Sequence, residues 1–274
     1  MSGERDEAGA RTLLRELVSD VRQWAQWNQI LGAESLPMEP TLEQGAPAQE
    51  RPPSGPGAPP APQSPVPEAK TARARPSFEP SSQPSNDQVR QGKGPLGPIR
   101  AELGDCTRCG LHESRKNLVF GVGSETAELV IVGEAPGQKE DLTGEPFVGR
   151  SGQLLTRMLG AIGLRRDQVY ICNVIKCRPP SNRDPSSEEV ETCSPFLLRQ
   201  VQAIDPRVVM TVGKFASQRL LGVDESMGRM RGQTHQWEGL PVVPSYHPAY
   251  LLRNPAAKRQ AWEDLLRVRA LLRS

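Results

Sequence analysis

L-V-I-V-G-E-A-P-G, from Leu129 to Gly137, is an unbroken run of strand-forming apolar residues that ends in a sharp bend at Pro136 and Gly137. A short continuous run of this kind suits a strand buried on both faces, as in a parallel sheet with helices above and below. Working outward, three more such runs, 169–176, 208–213 and 240–245, are separated by amphipathic segments. Those segments predict helices over 151–162, 186–204 and 214–221, with a last one over 255–272. Ser186 and Glu189 make a capping-box pattern that fixes the start of the second helix. The fold class is therefore α/β, a central four-stranded parallel sheet flanked by helices. In such sheets ligands bind beyond the carboxyl ends of the strands, so the loops after Gly133, Lys176 and Ser245 are the places for a site.

The chain before this region is different. Sixteen of the 27 prolines fall between positions 37 and 98, among Gly, Ser, Ala and Gln. Such a stretch buries too little apolar surface to offset its ordering entropy, so residues 37–95 are expected to form a disordered linker in an amino-terminal extension. Within residues 1–36, Leu14, Leu17, Val18, Val21, Trp24 and Leu31 recur at helical spacing and predict an amphipathic segment. Its region 10–32, with Trp24 and Trp27, has two readings: docking on a protein partner, or folding back on the domain at 96–274. The net charge is +2, so any affinity for nucleic acid must come from local clustering of Lys and Arg. No apolar run approaches the roughly 18 residues of a membrane span, and the expectation is a monomer in the cytoplasm, away from membranes.

Five cysteines suit a reducing compartment and metal ligation better than disulfides. Cys106 and Cys109 form a C-x2-C pair beside Asp105 and Arg108, Cys177 follows a predicted strand, and Cys193 lies in a predicted helix. Four thiolates fit either zinc or an iron-sulfur cluster, and spacing does not choose between them. Cys172, inside an apolar strand, reads as core.

These cysteines occur together with G-E-A-P-G-Q-K-E-D at 133–141, P-F-V-G-R-S-G at 146–152, C-R-P-P-S-N-R at 177–183 and H-P-A-Y-L-L-R-N-P at 247–255. In this order the motifs resemble those of family 4 uracil-DNA glycosylases, and the match runs over about residues 96–273. The resemblance implies a uracil-DNA glycosylase-like fold and hydrolysis of uracil from DNA, single- or double-stranded, as the first step of base excision repair. It also implies a [4Fe-4S] cluster on Cys106, Cys109, Cys177 and Cys193.

Expelling uracil as an anion from a sugar turned cationic requires stabilisation of both charges and a water, with the nucleotide first flipped out of the duplex. Phe147 is expected to wall the base, Asn173 to read its edge, and His247 to donate to the oxyanion forming at O2. Backbone amides around Ala135 and Gly137 would face uracil and phosphate. Ala135 stands where better-known relatives carry a water-activating aspartate, which leaves Glu134 as first candidate for that task and Asn182 as second. Glu140 is expected near the uracil 5-position, where it would help exclude thymine. Each of these three has an ordinary alternative as a solvated loop residue. Tyr250, Leu251 and Arg253 read as a wedge and a phosphate contact, or as the start of the last helix.

Two rivals remain at this level. A related glycosylase that becomes trapped on DNA needs a histidine in a basic loop after the third cluster cysteine, and here Cys177 runs directly into Arg178, Pro179 and Pro180. A catalytically silent iron-sulfur protein, DNA-binding or polymerase-associated, is the alternative from another class.

Overall fold

The computed structural model describes residues 94–274 together with Val18, Val21, Arg22 and residues 25–30. Of the linker expected over 37–95, residues 37–93 lie outside the described residues. Six strands form one sheet: β1 (Val122–Gly123), β2 (Leu129–Gly133), β3 (Tyr170–Asn173), β4 (Val208–Val212), β5 (His235–Trp237) and β6 (Leu240–Ser245). Their spatial order is β1-β3-β2-β4-β6-β5. The four expected strands are the parallel centre β3-β2-β4-β6, and short antiparallel β1 and β5 extend it at the edges. The Gly121–Gly123 region, with its two glycines, therefore contains an edge strand. At Gly123 a Cβ would fall 1.9 Å from the Val169 carbonyl oxygen, so the close pairing with β3 requires glycine.

All five residues of β2, and all five of β4, are buried. Successive side chains along β2 point to opposite faces. Val130 and Val132 join one core with Leu197 and Val201, while Leu129 and Ile131 join the other with Leu155 and Leu265. This two-sided burial is why β2 reads as continuously apolar.

The helices are α1 (Gly97–Leu103), α2 (Gln138–Thr143), α3 (Arg150–Ala161), α4 (Ser187–Ile204), α5 (Lys214–Leu221), α6 (Met227–Met230), α7 (Pro248–Arg253) and α8 (Lys258–Arg273). The capping box of α4 is present: Ser186 Oγ accepts from Glu189 N at 3.3 Å, and Glu189 Oε2 accepts from Ser186 N at 2.8 Å. The last expected helix is shorter than 255–272, because Pro255–Ala257 is a 3-10 turn leading into α8. Among the described residues no helix is long and apolar enough to cross a membrane.

Residues 25–30 are helical, and Trp27, only 2% exposed, stacks on Trp262 of α8 with ring centroids 5.0 Å apart. Lys258 Nζ donates to the Ile30 carbonyl at 2.6 Å. These contacts lay residues 25–30 back on the domain; of the region 10–32, all but these residues, Val18, Val21 and Arg22 lies outside the described residues.

The chain leaves β2 toward β3 on one side and then crosses to β4 and β6 on the other. The order therefore reverses between β2 and β4, and a crevice opens beyond Gly133 and Gly213.

Candidate active site

A cleft of about 670 Å³ occupies that switch point, with Glu134, Phe147, Asn173, Asn182 and His247 among the residues lining it. Asn173 ends β3 opposite Gly133 of β2, so the strand pairing fixes its backbone. Lys176 Nζ, fully buried, also donates to the Asn173 carbonyl at 2.8 Å and to Gln200 Oε1 at 2.6 Å. The Asn173 side chain is 1% exposed, yet neither Oδ1 nor Nδ2 has a hydrogen-bond partner. A buried amide left in this state costs about 1–3 kcal/mol per unmet group, so such a position is retained for a ligand or a bound water.

The floor beneath it needs a glycine. A Cβ on Gly133 would come within 2.4 Å of Asn173 Oδ1 and 2.6 Å of Phe147 Cζ. Phe147 is buried and adopts φ 54°, a left-handed conformation unusual for an aromatic residue. Three contacts hold it there. Gly152 leaves room for the Phe147 carbonyl, which a Cβ would meet at 1.7 Å. Glu140 Oε1 accepts from Val148 N and Gly149 N, each at 2.9 Å. Arg166 Nη2 donates to the Pro146 carbonyl. Glu140 thus lines the cleft while clamping the turn that follows Phe147.

The Phe147 and His247 rings lie 5.6 Å apart. His247 is the N-cap of α7, and its Nδ1 accepts from Ala249 N at 3.1 Å. That bond leaves the proton of a neutral imidazole on Nε2. Burial, helped by the positive charge of Arg253 and opposed by Glu140, pushes the pKa of His247 down to about 4. The ring is therefore a neutral donor at physiological pH.

Burial, with Asp184 nearby, raises the pKa of Glu134, as suits a group that accepts a proton from water. Asn182 is exposed, has φ 54°, and accepts from Arg178 Nε at 2.8 Å. Ala135 and Gly137 line the same cleft, the latter as N-cap of α2.

Tyr250 and Arg253 also line the cleft, and Tyr250 stacks on Tyr246 at 5.0 Å. Leu251 corrects the expected wedge: it is 0% exposed and packs into the core between α7 and α3, so it is not available to DNA. Lys214 and Phe215, at the start of α5, line the cleft but were not among the candidates. They follow the carboxyl end of β4, and the same strand-end rule applied to Gly213 would have found them.

Cys106 and Cys109 pack against the core that contains Cys177 and Cys193. The Cys193 thiol lies within electrostatic reach of Cys106 and Cys109, and Cys177 within reach of Cys193 and Cys109. Three N–H groups point at these sulfurs: Arg108 Nη1 at Cys106 (3.3 Å), Arg115 Nη1 at Cys177 (3.4 Å) and Lys176 N at Cys193 (3.3 Å). Among the described residues no three His, Cys, Asp or Glu side chains converge tightly enough to hold one metal ion. Cys172 is buried in β3 as core.

A model of the Uracil DNA glycosylase superfamily matches residues 120–266. The chain is 46% identical over 181 residues to the type-4 uracil-DNA glycosylase of Archaeoglobus fulgidus, covering 63% of this chain and 91% of that protein. It is 45% identical over 172 residues to the type-4 enzyme of Thermotoga maritima, covering 61% and 90%. To that of Saccharolobus solfataricus it is 42% identical over 188 residues, covering 65% and 87%.

Proposed function

The chain belongs to the uracil-DNA glycosylase superfamily, in its type-4 group, and from that membership we infer how its cleft removes uracil from DNA. The protein is a hydrolase of the N-glycosidic bond between uracil and deoxyribose, leaving an abasic site for repair. The flipped base stacks on Phe147 and presents its N3–H to Asn173 Oδ1 and its O4 to Asn173 Nδ2. His247 Nε2–H donates to O2, where negative charge gathers as the bond breaks. A neutral donor stabilises that anion without protonating it outright, which suits a departing uracil anion. Glu134 accepts the proton of the attacking water, and Asn182, an exposed residue of the same cleft, is the second candidate for that task. Glu140, through the turn it clamps, sets the wall near the uracil 5-position. Tyr250 and Arg253 meet the DNA backbone and the gap left by the flipped base.

The observation that carries this reading is the unpartnered, buried amide of Asn173 beside an aromatic wall and a neutral imidazole donor. Its test is single-turnover cleavage of an oligonucleotide with one uracil, read by alkaline scission of the abasic product. His247→Ala should slow release by on the order of 10²–10³ while the protein stays folded. An unchanged rate would remove His247 from the chemistry.

We further propose that Cys106, Cys109, Cys177 and Cys193 hold a [4Fe-4S] cluster. In support, the four thiols come from three separate segments, and N–H donors point at three of the sulfurs, as thiolates of a cluster require. Held by these four residues, the cluster would tie the loop at 106–115 to the segment that follows β3 and to α4. A thiolate-held cluster also suits the reducing cytoplasm.

A further inference from the structure

Asp264 on α8 is 0% exposed, lies outside the cleft and has no part in the chemistry above. Four donors converge on its carboxylate: Arg231 Nη2 (2.9 Å) and Nε (3.1 Å), Ser245 Oγ (2.9 Å) and Gly232 N (3.2 Å). Arg231 is in turn held by the Gln260 carbonyl at 2.7 Å, and its guanidinium lies 5.6 Å from the centre of the Tyr246 ring. The network therefore grips the two residues immediately before His247: Ser245 through its hydroxyl, and Tyr246 through a cation–π contact. A third restraint comes from the residue after β4, where Gly213 N donates to the Ser245 carbonyl at 2.9 Å. A Cβ on Gly213 would lie 3.2 Å from His247 Cβ, so the ring sits directly against this backbone.

Adhesion of α8 to the sheet does not explain a buried ion pair. Ala261, Leu265 and Val268 already pack α8 into the core, and an apolar side chain of similar size would do as well as a charged pair. Directional bonds to a charged acceptor fix position, which packing alone does not. We propose that Asp264 and Arg231 are positioning residues for the glycosylase reaction, holding the Ser245–Tyr246 backbone so that His247 Nε2 meets the uracil O2. This rests on the reading of His247 as the oxyanion donor.

The test is a double-mutant cycle on the full chain, with a single-uracil oligonucleotide under single-turnover conditions. Asp264→Asn should lower the rate of uracil release about tenfold, with DNA affinity changed less than about twofold. In the His247→Ala background the same substitution should cost less than about twofold more, because the group it positions is gone. Ser245→Ala removes one bond without leaving a charge unpaired, and it should show the same coupling with a smaller loss should Asp264→Asn fold poorly. If His247→Ala is slow but the second substitution multiplies the loss in full, the network acts by general loosening and the inference fails alone. If Asp264→Asn changes affinity and leaves the rate intact, the network serves the Tyr246–Tyr250 stack and the inference also fails. If His247→Ala keeps the wild-type rate, the reading of His247 itself falls and takes the inference with it.

Discussion

At the scale of single residues the site depends on three departures from ordinary protein chemistry: an unpaired buried amide, an aromatic residue at positive φ, and a histidine that stays neutral. His247 makes the third one measurable. Its imidazole should remain uncharged, with the proton on Nε2, through pH 6.5, where an ordinary histidine titrates, and should protonate only near pH 4. NMR titration of the three histidine rings checks this, and a His247 midpoint near 6.5 would contradict it. The same shift has a sign for stability. The unfolded chain binds the proton more readily than the folded one, so the contribution of His247 is complete above pH 6.5 and declines as pH falls toward 4. Gly133 gives a second prediction. Gly133→Ala would place a methyl against Asn173 Oδ1 and the Phe147 ring, and uracil release should drop by on the order of a hundredfold. A normal rate in a folded variant would mean that Asn173 and Phe147 do not need their present spacing.

Among the elements, α3 carries the clearest consequence. Replacing a glycine within a helix by alanine normally stabilises, by up to about 1 kcal/mol in the interior and less in the first turn, where Gly152 lies. Gly152→Ala should instead destabilise by about 1–3 kcal/mol, because the new methyl meets the Phe147 carbonyl. Thermal melting decides the sign. The elements legible in sequence were those long enough to show a continuous apolar run or a helical period: β2, β4, β6, α3, α4 and α5 start and end within a residue of the expected bounds. The edge strands β1 and β5, with two and three residues, have no period to read and form only because β3 and β6 offer free edges. The helix α2 was hidden because G-E-A-P-G-Q-K-E-D reads as a turn, and its six helical residues carry no apolar stripe. The separate α7 was not expected: 250–253 read as a wedge or as the start of the last helix, whereas Pro248 opens a short helix of its own that Asn254 and Pro255 end. That interruption also explains Leu251. Once Pro248–Arg253 is its own helix, Leu251 turns inward and Tyr250 faces the cleft. The motifs carried Phe147 and His247, and an amide inside the apolar run 169–176 carried Asn173, into one cleft, but neither signal reports burial, so the clamping bonds of Glu140 and the Asp264 network showed only in the packed fold.

For the molecule as a whole, the inferred cluster and the amino-terminal segment act on stability more than on chemistry. If the inferred cluster is held, the protein should be brown, and Cys177→Ala should bleach that colour and lower the melting temperature, since ligand loss is coupled to folding. A colourless wild type holding zinc would overturn the iron-sulfur assignment. Deleting residues 1–85 should leave uracil release intact, because every cleft residue lies beyond Gly133. It should still lower the melting temperature, because Trp262 loses the stacked face of Trp27. A truncated chain that folds but releases no uracil would contradict that division. The central claim is that the empty hydrogen-bonding capacity of Asn173 exists for uracil. Its most direct measurement is a crystal structure with free uracil bound. The ring should stack on Phe147, with N3 and O4 within hydrogen-bonding distance of the Asn173 amide and O2 facing His247 Nε2. Uracil bound elsewhere, with the Asn173 amide still unpartnered, would contradict it.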